Sequence, residues 1–286
     1  MIWYDPLFIK ILLSTLSIGI SCGILGCFIV LNKQSLLADT LAHATFPGIC
    51  IMFLICGYKE PTYLLIGALI SSISALCLLQ IFEHPFLKKE TLLGIILSTS
   101  FGLGIFLISI IQRMSSSEQA GLDKFLLGHA STVLNHEVAC TVLLAIIISF
   151  MIWYFFKELK LIIFDHQFAR LLGLRYYFIK MLLYILIIFA MVIGLQSAGL
   201  ILITSFLLAP AVAARQWTNH LHTMIYLSIC ISVVSVFSGT TISFYYAHVP
   251  TGPCIVIIAT CLTGISLISS PHSALHAWIT KRKNSL

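Results

Sequence analysis

The chain has 286 residues, 59% of them hydrophobic and 9% charged, with sixteen Lys and Arg against ten Asp and Glu and a formal charge of +6. A mean hydropathy of +1.06 excludes a soluble globular domain and a disordered chain, and leaves a polytopic membrane protein. The positive balance needs no nucleic-acid partner to explain it, because basic residues set membrane topology.

Apolar runs of about 17–25 residues, the length that crosses a bilayer, recur nine times. They lie at roughly 7–31, 36–56, 62–82, 91–111, 138–156, 178–195, 199–214, 224–245 and 254–270. The sixth, seventh and ninth are short or closely spaced. The first begins near Leu7 without a basic flank and is as long as a span, which argues against a cleaved signal sequence. With alternate loops assigned to opposite sides, Lys33, Lys88, Lys89, Lys157, Lys160, Arg170, Arg175, Arg215, Lys281, Arg282 and Lys283 share one side. Only Lys59, Arg113 and Lys124 fall on the other, while Lys10 and Lys180 sit at span ends. The basic side is expected in the cytoplasm, which puts the N-terminus outside and the C-terminus inside.

The first span carries Gly19, Gly23 and Gly26, spaced to let a second helix approach closely. The second contains the run SLLADTLAHATFPG, in which Asp39 and His43 stand four residues apart. On a helix that spacing puts both side chains on one face, one turn apart. A carboxylate and an imidazole together suit zinc, manganese or iron(II). Ionisable groups at membrane depth are costly and mark ion or substrate paths. Read locally, the same pair is also compatible with a helix-end cap beside a packed histidine. Pro47-Gly48 follows directly, and Pro210 stands in LLAPAVAA. Both are expected to break their helices where the backbone lines a path.

Two segments do not span. Gln112 to Glu137 is expected outside. Lys157 to Tyr177 is expected inside, with Asp165 as an N-cap, Phe168, Leu171 and Leu172 at helical spacing, and Gly173 as a stop. A short amphipathic helix there is a docking knob for a soluble partner, or a helix lying on the lipid surface.

Other motifs carry less. His136-Glu137-Val138-Ala139-Cys140 lacks the second histidine of a zinc-protease helix. His220 and His222, and His272 and His276, form pairs that could touch a metal, but neither has a third ligand nearby in sequence. The nine cysteines include no C-x-x-C pair and read as small apolar packing residues. No phosphate-binding loop and no G-x-S-x-G elbow occurs, and nothing argues for an enzyme.

Four stretches together resemble the ABC-3 family, the membrane permeases of ATP-binding-cassette importers for zinc, manganese and iron. They are SLLADTLAHATFPG, FDHQFARLLGL, SAGLILITSFLLAPAVAAR and VPTGPCIVI, in the family's order. Ala38 and Ala42 stand where a Gly and a Ser are usual, and His129 where a smaller residue is commoner. The resemblance implies one transmembrane permease domain over 1–286, all-α with discontinuous spans like the vitamin B12 permease, in the bacterial cytoplasmic (inner) membrane. It implies a permease homodimer, in some cases a heterodimer, with a cytosolic ATPase and an extracytoplasmic metal-binding protein as partners. Asp39 and His43 become ligands to the transported metal, with no permanently bound cofactor. Segment 165–174, with Asp165, Phe168, Ala169, Leu172 and Gly173, becomes the coupling helix, followed at the far end by a cytosolic tail at 271–286. A secondary cation transporter is the alternative, but it would be expected to carry more intramembrane carboxylates than Asp39.

Overall fold

The computed structural model describes residues 5–57, 60–83, 87–113, 135–246 and 249–270. Among these residues every element is helical. The order is α1 (Pro6–Leu31), α2 (Ser35–Cys56), α3 (Pro61–Ile81), α4 (Lys89–Arg113), α5 (Asn135–Tyr154) and α6 (Phe156–Phe164). It continues with α7 (His166–Leu171), α8 (Tyr176–Ala198), α9 (Leu200–Arg215), α10 (Leu221–Tyr245) and α11 (Thr251–Ser269). In hydrocarbon each backbone N–H and C=O needs an internal partner, and a helix supplies one within the segment.

Local chemistry sets the ends. Asp5 caps α1 by accepting from the Leu7 amide at 3.0 Å, with Pro6 at the first helical position. Pro61 likewise opens α3, there without a side-chain cap. Gly57 closes α2 with φ of 75°, a left-handed conformation that glycine adopts without a Cβ clash.

Eight of the helices are long and apolar enough to cross a membrane, and α9 is a shorter apolar helix. Each expected span falls on one helix. The seventh is the exception in length: sixteen residues rise about 24 Å, less than the roughly 30 Å hydrocarbon core. The discontinuity lies between α8 and α9, at Gly199, whose φ is 80°.

The expected breaks at Pro47-Gly48 and at Pro210 are not breaks. Both prolines sit inside continuous helices. A proline removes one backbone donor, and here hydroxyls from adjacent helices donate to carbonyls close to each proline and tie its helix to a neighbour. Ser71 of α3 donates to the Ala44 carbonyl, and Thr263 of α11 donates to the Ala209 carbonyl at 3.0 Å. Gly48 has a different task. A Cβ there would collide with the Gly67 carbonyl of α3, and a Cβ on Gly67 would collide with the Gly48 carbonyl.

Close approach recurs on α1. Gly19 faces Phe206 and Val236, Gly23 faces Ser228 and Ser232, and Gly26 lies against the Leu207 backbone. Ser228 donates to the Gly23 carbonyl at 2.8 Å. Between helices in lipid, such packing and hydrogen bonding replace the hydrophobic effect as the attraction. The chain thus has α2 held between α3 and α4, and α1 held against α9 and α10.

The glycine contacts give opposite expectations at two positions. Gly48→Ala should lower thermal stability by about 1–3 kcal/mol through overpacking. Gly264→Ala in α11, where nothing lies within 4 Å of the added Cβ, should raise it by up to about 1 kcal/mol through helix propensity. Thermal unfolding of the detergent-purified chain measures both.

Candidate functional site

Asp39 and His43 occupy successive turns of α2. His43 Nε2 lies 3.5 Å from Asp39 Oδ1, with the side chains 23% and 41% exposed respectively. Their neighbours Leu37, Ala38, Leu41 and Ala42 are buried, so the pair occupies the open edge of an otherwise packed helix. His43 Nδ1 is buried and has no hydrogen-bond partner. Its ring meets Phe101 of α4 edge-to-face, with centroids 5.0 Å apart and planes at 79°.

The helix under the pair is fixed on two sides. Thr40 Oγ1 donates within α2 to the Leu36 carbonyl at 2.8 Å and across to the Leu93 carbonyl of α4 at 3.2 Å. The Phe46 ring fills the space a side chain at Gly104 would need. The Gly48–Gly67 approach holds the other flank. Among the described residues no group of three or more His, Cys, Asp or Glu side chains could hold a metal. One chain brings two such ligands to this face.

Segment 165–174 has the expected caps. The Phe168 amide donates to Asp165 Oδ1 at 2.9 Å, and Gly173 has a left-handed φ of 71°. Two features differ from the sequence reading. The stretch before Asp165 is itself helical, as α6, separated from α5 by a turn at Phe155. Ala169 is fully buried, so it packs inward and offers no surface to a partner. The exposed apolar side chains are Phe168, Leu172 and above all Leu171, at 85% exposure. Exposure of Leu171 depends on how α7 lies against α6, which helical spacing does not encode.

Other sequence candidates are dispersed. Pro47 and Gly48 lie one turn beyond His43, while Pro210 is on α9. Cys140 Sγ is 3.8 Å from His136 at the start of α5, away from α2. His222 stacks on Phe156 with centroids 4.2 Å apart, and the His220 amide donates to Thr218 Oγ1. His129, His272, His276 and the tail lie outside the described residues.

The comparisons with known proteins cover nearly the whole chain. The model of the ABC 3 transport family matches residues 4–270. The chain belongs to that family. It is 38% identical to the zinc transport system membrane protein TroC of Treponema pallidum, over 91% of this chain and 87% of that protein. It is 37% identical to the manganese transport system membrane protein MntC of Bacillus subtilis, over 93% of this chain and 62% of that protein. One chain of the structure of PsaBC from Streptococcus pneumoniae in complex with Fab superposes with a TM-score of 0.80 at 30% identity, covering 94% of each. This ABC 3 chain is therefore an all-helical transport membrane protein.

A cluster that sequence reading missed ties its helices together at the basic end. Glu83, between α3 and α4, pairs with Lys89 and, at 3.4 Å, with Lys180 of α8. Lys180 lies over the Tyr176 and Tyr184 rings, and the Tyr184 hydroxyl donates to Gln34 Oε1 at 2.8 Å. Burial pushes the Glu83 carboxyl up, but the Lys89 hydrogen bond and the Lys180 and Lys89 charges outweigh it. The net effect holds Glu83 below the usual glutamate range. Glu83 and Lys180 are too distant in sequence for any local signal.

A carboxyl whose folded pKa is lowered adds stability above its unfolded pKa and loses it as pH falls through the folded one. Glu83→Gln should therefore destabilise the chain at neutral pH. The cost should stay under about 1 kcal/mol, since the pair is partly exposed and screened. Thermal unfolding against pH should show the variant and the parent converging below the glutamate range.

Proposed function

We propose that this chain is the permease of an importer that carries a divalent metal ion, zinc, manganese or iron(II), into the cytoplasm. The path passes Asp39 and His43, and a separate cytosolic ATPase drives transport through α7. An extracytoplasmic metal-binding protein delivers the ion, which is cargo and not a resident cofactor. The chain sits in the bacterial cytoplasmic membrane with its N-terminus outside and its C-terminus and tail in the cytosol, the orientation that the basic residues favour.

The observation that carries this reading is the 3.5 Å between His43 Nε2 and Asp39 Oδ1. It is longer than the roughly 2.7–3.2 Å of a good hydrogen bond. It is close to the edge, about 3.4 Å, of a tetrahedron whose ligands lie roughly 2.1 Å from one ion. The pair is spaced to share an ion more than to satisfy each other. The names of the relatives point the same way: TroC is described as a zinc system protein and MntC as a manganese one. Carboxylate plus imidazole accepts either metal.

Two ligands leave an ion half-coordinated, and a partly exposed carboxylate cannot face lipid tails. A second copy of the chain answers both needs by placing its own pair across a two-fold axis. Four ligands could replace hydration briefly without a closed cage that would trap the cargo. Nucleotide-driven motion of the ATPase would then shift the balance between states open to either side, pushing on Phe168, Leu171 and Leu172. A secondary transporter has less support, since Asp39 is the one carboxylate among the described residues beyond the first turn of a span.

Asp39→Asn and His43→Ala should each reduce metal uptake by at least roughly tenfold while insertion stays normal. Uptake at the parent level in both variants would contradict the assignment. For the docking segment, Leu171→Asp should abolish capture of the co-expressed ATPase and uptake together. Ala169→Glu should instead reduce the amount of folded chain, because it buries an unpaired charge.

A further inference from the structure

At the cytosolic end of α5 the chain forms an open cavity of about 770 Å³, walled by α1, α5, α6 and α10. Its volume falls within the range of small-molecule sites, about 300–1,000 Å³. Ile24, Ile152 and Ile225 line it on the apolar side. Trp153, Tyr154 and Tyr226 stand around it with their rings 75%, 64% and 70% exposed.

Lys157, Glu158 and His222 supply its polar groups. Glu158 has one carboxylate oxygen buried without a hydrogen-bond partner, and it belongs to none of the ion pairs formed among the described residues. His222 is already engaged, its ring stacked on Phe156. A carboxylate without a counter-ion, lining one cavity with Trp153, Tyr154 and Tyr226, is the chemistry that attracts a cation.

We propose that this cavity binds the headgroup of an ethanolamine phospholipid, with its ammonium at Glu158 among the aromatic rings and its phosphate toward Lys157. Three features select this ligand. Trp and Tyr collect at headgroup depth, and here they mark the end of a span just before Lys157 and Lys160. A primary ammonium donates hydrogen bonds to a carboxylate, which a quaternary choline cannot do. A purely anionic headgroup would meet the Glu158 charge without an ammonium to offset it. The isoleucine side then receives the first carbons of an acyl chain. Because Phe156, Lys157 and Glu158 begin α6, which leads into α7, a bound lipid would brace the base of the docking segment. The proposal uses no metal ligand and stands apart from the transport assignment.

The test is native mass spectrometry of the full chain, released from mild detergent with equimolar phosphatidylethanolamine, phosphatidylcholine and phosphatidylglycerol of matched acyl chains. The parent should retain the ethanolamine lipid about fivefold over each of the others, and Glu158→Gln should erase that preference. Trp153→Leu and Tyr226→Leu, at mostly exposed positions, should each weaken it and provide the reading if Glu158→Gln fails to fold. His136→Ala, outside the cavity, should keep it. Equal retention of the three lipids by the parent would overturn the proposal, as would a preference that survives Glu158→Gln and Trp153→Leu. A Glu158→Gln chain that keeps its lipid preference but loses the co-expressed ATPase would identify a basic side chain of that subunit as the occupant, and would also overturn it.

Discussion

Asp39 is a partly open carboxylate on a helix whose other faces are packed against α3 and α4. Hydrocarbon cannot solvate such a group, and among the described residues no Lys or Arg lies within ion-pair distance of it, leaving His43 as its one ionisable partner there. Its edge of α2 therefore has to face water, an ion or another copy of the chain. The surrounding packing serves that requirement. The Gly48–Gly67 approach, the Thr40 hydrogen bond to α4 and the Phe46 ring over Gly104 leave α2 little freedom to turn the pair away. A weak transient site depends on such stiffness, since ligands free to collapse around an ion would hold it.

The α6–α7 region, where we propose docking, is built differently. α6 and α7 form a bent pair joined at Asp165, with the Asp165 cap on one side and left-handed Gly173 on the other. Ala169 anchors the short helix inward while Phe168, Leu171 and Leu172 remain outside. A push on the exposed side chains would thus reach backbone clamped at both ends. The cluster of Glu83, Lys89 and Lys180 links the α3–α4 turn to α8, the helix that follows α7. Together they form a continuous set of contacts near the basic end of the molecule.

Much of this was legible in the sequence. Eight of the nine spans, the helix ends and the shared face of Asp39 and His43 follow from hydropathy, caps and the 3.6-residue period, all of which are local, while the remaining run is the sixteen-residue α9. The misreadings share one cause. Pro47 and Pro210 look like breaks because a proline removes a helical donor, yet both helices run on, tied beside each proline to Ser71 and Thr263 of other helices. Ala169 looks available for docking until α6 covers it. Each depends on what a second element brings, and the 97-residue separation between Glu83 and Lys180 has the same character.

The central claim is that His43 and Asp39 of two copies share one ion. Manganese(II) bound to the purified chain, read by electron paramagnetic resonance together with metal content, addresses it most directly. The account predicts one ion for every two chains, with imidazole nitrogen coupling that disappears in His43→Gln. One ion per chain, or nitrogen coupling that persists in His43→Gln, would contradict it.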